Sequence, residues 1–305
     1  MDPHAKSAAA RYPLLRRFIA WEARIGAWAL QKTWRLAIYE FVRFGIKQGW
    51  ACLFGGLMLA LLLATHFAYP KDAMLARYDF LVIAAVTIQF IMLSSGMETW
   101  EEAKVILVFH VVGTVMEIFK TAVGSWTYPE ASVLKIAAVP LFTGFMYACV
   151  GSYLARVWRL FDFQFTGHPP LWTIALLSIA IYVNFFTHHY TVDIRLGLFA
   201  LAAVLFGPAW VHFKVWRVHR RMPLLLGLVL VALFIWFAEN IATFAAAWVY
   251  PNQKDGWAMV SPAKLGSWFL LMILSYVMVA AVHGVVTYRR AAREAAETGA
   301  QHQPT

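Results

Sequence analysis

The sequence predicts an all-α polytopic membrane bundle. Eight transmembrane helices form two parallel four-helix tandem repeats, behind an N-terminal amphipathic segment at the membrane interface. Three observations predict it. Of 305 residues, 61% are apolar and only 14% charged, with a mean hydropathy of +0.62. A soluble domain cannot bury that much apolar surface. Next, apolar runs of spanning length, roughly 17–25 residues, recur along the chain. Last, a motif occurs twice. Residues 117–129 read EIFKTAVGSWTYP and residues 239–251 read ENIATFAAAWVYP, sharing E-x3-T-x4-W-x-Y-P at an offset of 122. The same offset carries Thr65-His66 onto Thr187-His188. Two uncommon groups agreeing on one offset mark a tandem duplication.

Residues 1–10 are polar and Ala-rich and are expected to be disordered. Residues 11–48 mix aromatic and aliphatic side chains with Arg16, Arg17, Arg24, Lys32, Arg35, Arg43 and Lys47. That mixture predicts amphipathic helices lying as a collar among cytoplasmic headgroups, basic face to anionic lipid. The spans follow at 49–69, 79–96, 104–124 and 134–156 in the first repeat (49–156). Those of the second repeat (171–288) fall at 171–188, 195–216, 223–247 and 264–288. Pro140, Pro208 and Pro223 are expected to kink or start helices within them. A tail, 289–305, ends the chain.

Basic residues set the orientation. Arg156, Arg159, Lys214, Arg217, Arg220, Arg221, Arg289, Arg290 and Arg293 gather with the collar on the inside, leaving few cations in the outer loops. Both termini are therefore expected in the cytoplasm of a bacterium, with the chain multi-pass in its inner membrane. The acidic stretch 98–104, ETWEEAK, sits against this placement, but acids count little in the rule. The net charge of +10 flanks apolar runs, so the expected partner is membrane lipid and not nucleic acid. The first long apolar run begins only near residue 50, so no cleavable signal peptide is expected. Cys52 and Cys149 lie in apolar runs without C-x-x-C spacing and read as small core residues. Neither the oligomeric state nor any cofactor is implied.

The polar residues inside the spans carry the chemistry. Glu117 and Glu239 are intramembrane carboxylates, which normally face protein interior or a water-filled cavity. Two arrangements are open. The pair faces each other and shares a proton, or splits acid and base roles. Alternatively, each holds the W-x-Y-P turn of its own repeat, with Lys120, Lys135 or Lys264 as partners. Thr121 and Thr243 follow at i+4, and Trp126, Tyr128, Trp248 and Tyr250 close the helices at the outer interface. With Asn184 and Asn240 they are the candidate substrate contacts. His110 shares a helix face with Glu117 and has Ala232 at its repeat position, which makes it a candidate supporting catalytic group. His66, His188, His189 and Asp193 are weak candidates for a metal site.

At EIFKTAVGSWTYPE, RMP (221–223), NFFTHH (184–189) and FAENIATF (237–244), the chain resembles the YoaT-like bacterial integral-membrane family, whose function is unknown. The resemblance covers roughly residues 35–290 and implies no activity. A looser likeness links His110-x6-Glu117, Gly124-x-Trp126-x-Tyr128 and Val139-Pro140-Leu141 to the carotenoid hydratases and lycopene-cyclase-type membrane proteins. Those families act on long isoprenoids through buried acids without a redox cofactor. The chain lacks the hydratases' Thr-Gly after the glutamate and their Phe-Gly-x-Tyr, and the cyclases' Pro-x-Glu-Glu. Three functions remain open at this stage. They are a cofactor-free enzyme on a lipid or isoprenoid, a small-solute or proton-coupled transporter, and a metal-dependent membrane hydrolase.

Overall fold

In the computed structural model, residues 13–288 are described, with side chains from residue 21 onward. The expected disordered segment 1–10 and the tail 289–305 lie outside the described residues. The protein is mostly helical.

The collar forms two helices, α1 (Pro13–Ala29) and α2 (Thr33–Ala51). Trp34, Ile38, Phe41, Val42 and Ile46 leave one apolar stripe of α2 bare. Its other face is docked on the bundle. Glu40 receives two hydrogen bonds from Arg220, at 2.9 and 2.6 Å. The Lys47 ammonium donates to the carbonyls of Leu160 (2.7 Å) and Lys214 (2.9 Å). The collar is thus a clamp as well as an amphipathic surface.

The chain turns by 66° at Cys52 into α3 (Leu53–Ala68). Then come α4 (Arg77–Ser94), α5 (Trp100–Ala122) and α6 (Phe142–Phe161). A sharp start of α5 follows from its capping box, in which Thr99 and Glu102 satisfy each other's backbone N–H groups. The run 134–156 is not helical throughout. A short antiparallel hairpin, β1 (Lys135–Ile136) with β2 (Val139–Pro140), precedes α6. Pro140 has no N–H to give a helix interior, so it ends the hairpin instead.

After β3 (Gln164–Thr166), the chain continues through α7 (Leu171–Thr187) and α8 (Arg195–Phe206). The expected span 195–216 stops early: α8 has only 12 residues, and β4 (Trp210–Lys214) follows it. The break falls at Gly207-Pro208, a pair that does not continue a helix. Strands β3, β4 and β5 (His219–Pro223) form one antiparallel sheet. Pro223 leads straight into α9 (Leu224–Phe244), and α10 (Ala263–His283) ends the bundle.

Among the described residues, four helices are long and apolar enough to cross a membrane: α4, α5, α9 and α10. The bent α2–α3 pair would make five, and α7 and α8 are shorter apolar helices. On α9, Leu226, Leu230, Phe234 and Phe237 form an outward stripe at helical spacing; Leu107, Val111 and Val115 do so on α5. Apolar faces left bare on this scale fit hydrocarbon, not water.

The two halves pack alike. In the first, α3 packs on α4 and α6, and α5 on α6; in the second, α7 packs on α8 and α10, and α9 on α10. Adding 122 carries the last residues of α5 and α6, Ala122 and Phe161, onto those of α9 and α10, Phe244 and His283.

The acidic stretch 98–104 also finds its explanation. Glu98 is buried against Arg156 (2.8 Å), with Ser152 donating to the same oxygen at 2.7 Å. Glu102 lies 3.1 Å from Arg159, and Glu101 pairs with Lys104. Glu98 and Glu102 thus neutralise Arg156 and Arg159 at the basic end of α6.

Candidate functional site: a buried pair of glutamates

Both copies of the repeated motif end a helix in the same way. After α5, Gly124 N–H bonds Thr121 O and Ser125 N–H bonds Lys120 O, with Gly124 at φ 74°. After α9, Ala246 N–H bonds Thr243 O and Ala247 N–H bonds Ala242 O, with Ala246 at φ 52°. Both are Schellman ends, in which one left-handed residue satisfies the orphan carbonyls of the last turn. The chains then run extended past each other. Thr127 and Val249, equivalent under the 122-residue offset, exchange both backbone hydrogen bonds, at 3.0 and 2.9 Å. The two motifs therefore meet at matching positions.

Each turn folds its tyrosine back onto the glutamate eleven positions earlier, and the first also returns Trp126 to the glutamate nine positions earlier. Trp126 Nε1 donates to Glu117 Oε2 at 2.7 Å, and the Tyr128 hydroxyl donates to the same oxygen. In the second copy the Tyr250 hydroxyl donates to Glu239 Oε1. The fourth helix of each half completes the cradle: Tyr147 OH donates to Glu117 Oε1 at 2.8 Å, and Trp268 Nε1 to Glu239 Oε2 at 2.6 Å. Glu117 and Glu239 are 6% and 3% exposed, and they lie near enough to interact electrostatically. Five aromatic donors, and no lysine contact, hold the pair. Of the two arrangements left open, the structure supplies elements of both. Each glutamate secures its own turn, and the turns bring the glutamates into one centre.

Neither Tyr147 nor Trp268 was expected as a donor to the glutamates, because both lie outside the repeated motif. A signal did exist: a buried carboxylate requires donors, and these two residues occupy nearly the same place in their repeats. Tyr147 reaches Glu117 because α5 and α6 approach closely through glycines. A Cβ on Gly113 would lie 2.4 Å from Tyr147 Cγ. Gly144 and Gly151 are similarly crowded, against Thr114 and His110 and against Phe109.

A cavity of about 30 Å³ is bordered by the glutamate donors Tyr147 and Trp268 and walled by Phe109, Met116, Ile235 and Met272. It has room for about one water.

The other candidates divide. Thr121 Oγ1 is buried without a partner. Thr243 accepts from Trp257 Nε1 at 3.2 Å, while Asn240 binds Trp236 O and Val260 N and so pins the loop after the second motif. Trp248 packs among the aromatic residues around Trp126 and Tyr250 without bonding Glu239. His110 does not bond Glu117. Its ring lies 4.5 Å from Phe145, and its buried Nδ1 has no partner. Asn184 fastens the α7–α8 loop through Asp193 Oδ1 (3.1 Å) and Ile194 N–H (3.1 Å). Burial alone would push the Asp193 carboxyl up. Hydrogen bonds from Asn184 and the Arg195 N–H, together with the Arg195 charge, hold it below the usual carboxylate range.

His188 and His189 stack at 4.1 Å, but His66 lies apart, against Phe67 and Phe244. Among the described residues no three His, Cys, Asp or Glu side chains form a group able to hold a metal ion.

Apolar helices with bare outer faces around a buried polar centre define a membrane-embedded helical protein. The chain belongs to the family described as "Protein of unknown function (DUF817)", whose model matches residues 40–276. It is similar to "Uncharacterized protein YoaT" of Bacillus subtilis (strain 168), at 45% identity over 249 residues. The match covers 82% of this chain and 94% of that one. No solved structure matches. Neither match bears on the looser likeness to carotenoid hydratases and lycopene cyclases.

Proposed function

We propose that this is a multi-pass protein of the bacterial cytoplasmic membrane, built from two four-helix repeats with eight membrane segments and both termini cytoplasmic. In this reading it acts without a cofactor on a lipid or isoprenoid through Glu117 and Glu239. The supporting observation is the carboxylate pair itself, held by Trp and Tyr donors of which Tyr147 and Trp268 also line a mostly apolar cavity. One glutamate, protonated, delivers its proton to an apolar double bond, and the other accepts the proton lost from the carbon skeleton. Tyr147 and Trp268, which touch both carboxylates and cavity, orient the acids, while the surrounding aromatic faces shelter positive charge. His110 is the supporting group, so its removal is expected to slow turnover without abolishing it. The cavity as it stands is too small for a lipid chain, so substrate enters by parting α5 and α6 from α9 and α10.

Proton-coupled transport is the second reading, favoured by where the centre sits. The Thr127–Val249 pairing places it between the two halves, as in transporters that bind cargo at a repeat interface. A metal-dependent hydrolase draws no support, since His66 packs against Phe67 and Phe244 and not with the His188–His189 pair.

Lipid extracts of cells with and without the protein, compared by untargeted mass spectrometry, test the first reading. Glu117→Gln and Glu239→Gln are the variants to run alongside. A lipid that appears with the wild type and disappears in both variants supports the enzyme. Unchanged lipids, with solute or proton flux in proteoliposomes that both variants lose, support the transporter instead.

A further inference from the structure

At the end of the bundle that carries the two W-x-Y-P turns, three cations converge, of which only Arg195 is ion-paired among the described residues. Lys120, one residue before Thr121, is 4% exposed. Its ammonium lies 2.8 Å from His189 Nε2 and 4.2 Å from the Phe185 ring centroid. Lys264 opens α10 and rests over two motif aromatics, 4.4 Å from the Tyr250 ring centroid and 5.4 Å from that of Trp126. Arg195 opens α8 and pairs with Asp193 at 2.7 Å. The charges of Lys120, Lys264 and Arg195 act on one another, offset in part by those of Glu239 and Glu117 at Lys264 and of Asp193 at Lys120. Among the described residues, neither lysine is in ion-pair contact with a carboxylate. The nearby acids are otherwise engaged: Glu117 and Glu239 by their aromatic donors, Asp193 by Asn184 and Arg195.

Lys120 is buried and Lys264 half-buried; carboxylate charges reach both, but no carboxylate contacts either ammonium, and an anion would complete their hydrogen bonding. The repeat offset sharpens this. Lys120 corresponds to Ala242, and Lys264 to Phe142. Each half has therefore added one lysine that its counterpart lacks, and both point into one locality. Neither is needed for the turns, since the second copy closes its turn with Ala242.

We propose that Lys120 and Lys264, with Arg195 at the rim and His189 beside Lys120, form a binding site for a phosphate-type anion at the mouth of the glutamate centre. The site depends on neither functional reading above, because it is defined by binding alone. A phosphate has two sources, free in solution or on a lipid headgroup, and the ammonium groups serve either. Its oxygens accept from the lysine donors that the protein leaves uncommitted, while the Trp126 and Tyr250 rings hold Lys264 in place.

The test uses the full chain in nanodiscs. In one arm the discs are phosphatidylcholine and inorganic phosphate is titrated by calorimetry. In the other, phosphatidylglycerol is doped into the discs and retained lipid is counted by native mass spectrometry. Binding is expected in at least one arm, weakened about tenfold by Lys264→Gln and by Lys120→Gln, the equivalent of one lost charge-assisted contact. Lys264→Arg and Lys120→Arg, which keep the charge, are expected to retain it and guard against a loss that merely reports misfolding. Binding confined to the first arm assigns a soluble anion, and binding confined to the second a lipid headgroup. No binding in either arm overturns the proposal. So does binding unchanged by both Gln substitutions, or equal loss in the Gln and Arg variants.

Discussion

The two copies of the motif differ in how firmly they hold their glutamate. Glu117 takes three donors, from Trp126, Tyr128 and Tyr147; Glu239 takes two, from Tyr250 and Trp268. Trp248, the counterpart of Trp126, does not reach its carboxylate. The helix ends differ too, with Gly124 in the left-handed position of one copy and Ala246 in the other. Ala246 is held there by a grip the first copy lacks: Arg77 donates to the carbonyls of Ala245 (2.9 Å) and Ala246 (3.1 Å) and pairs with Glu130. At the position equivalent to Arg77 the second half has Phe199. The two motif copies thus share one helix-end geometry but differ in their polar contacts. Contacts common to both copies hold the frame; those present in one are the candidates for function.

Removing the carboxylates gives the largest expected effect. Each buried donor left without an acceptor costs about 1–3 kcal/mol. Glu117→Ala strands three donors and Glu239→Ala two, so the first is expected to lower thermal stability in detergent more, by about that one increment. Equal losses would mean that the extra donor contributes nothing. Glutamine is different, because a tyrosine hydroxyl can also accept. In Glu117→Gln the amide nitrogen can face Tyr147 while the amide oxygen serves Trp126 and Tyr128. Both Gln variants should therefore fold, which is what makes them fair probes of proton chemistry.

Crowding comes next. Gly113→Ala puts a methyl group within 2.4 Å of Tyr147 Cγ, so Tyr147 must leave Glu117 or α5 must move, at a cost of about 1–3 kcal/mol. Ile235 occupies the equivalent place in the second half, and Ile235→Ala there should be milder in its effect on the glutamate. If Gly113→Ala leaves stability and the Tyr147 environment unchanged, the close approach of α5 and α6 is not what presents Tyr147.

The helix ends offer the sharpest reciprocal test. A left-handed alanine costs about 1 kcal/mol relative to glycine. Ala246→Gly is expected to stabilise by up to that amount and Gly124→Ala to destabilise by a similar amount, read as opposite shifts in melting temperature. Shifts of the same sign would show that the two ends are not conformationally equivalent.

Sequence reasoning reached the frame further than it reached the contacts. The E-x3-T-x4-W-x-Y-P pair was legible because both copies preserve its spacing, and it led to Glu117, Glu239, Trp126, Tyr128 and Tyr250, all now in one centre. Tyr147 and Trp268 stayed hidden because a donor on another helix leaves no trace in a local window. The lysines proposed as partners were reasonable by charge, but hydroxyl and indole donors satisfy the carboxylates instead. Hydropathy also ran smoothly through Cys52, the 135–140 hairpin and β4, since apolar content alone does not separate strand from helix. Only the prolines marked two of those breaks. The collar's docking was invisible for the same reason as Tyr147: Lys47 meets Leu160 and Lys214 across 113 and 167 residues.

At the opposite end of the molecule from the glutamates' turns, the β3–β5 sheet supplies the smallest expected effect and a control on the comparison. His212 on β4 stacks on Tyr288 at 4.2 Å between centroids, and its Nε2 lies 3.2 Å from Thr166 Oγ1. Burial, then the charges of Arg221 and His219, push the imidazole below its ordinary value. The folded state therefore favours neutral His212. Its contribution is complete above about pH 6.5, where the unfolded histidine is also neutral, and is lost as pH falls below that. The protection of β4 amides, relative to their slower intrinsic exchange at low pH, should fall between pH 7.5 and 5.5, and His212→Phe should remove that excess loss. The hydrogen bonds of the motif turns are far from this group, so exchange at Thr127 and Val249 should show no such excess. If those two amides loosened in step with β4, the sheet end and the glutamate end would be one cooperative unit. Differences between the motif copies would then have to be read through the whole bundle and not locally.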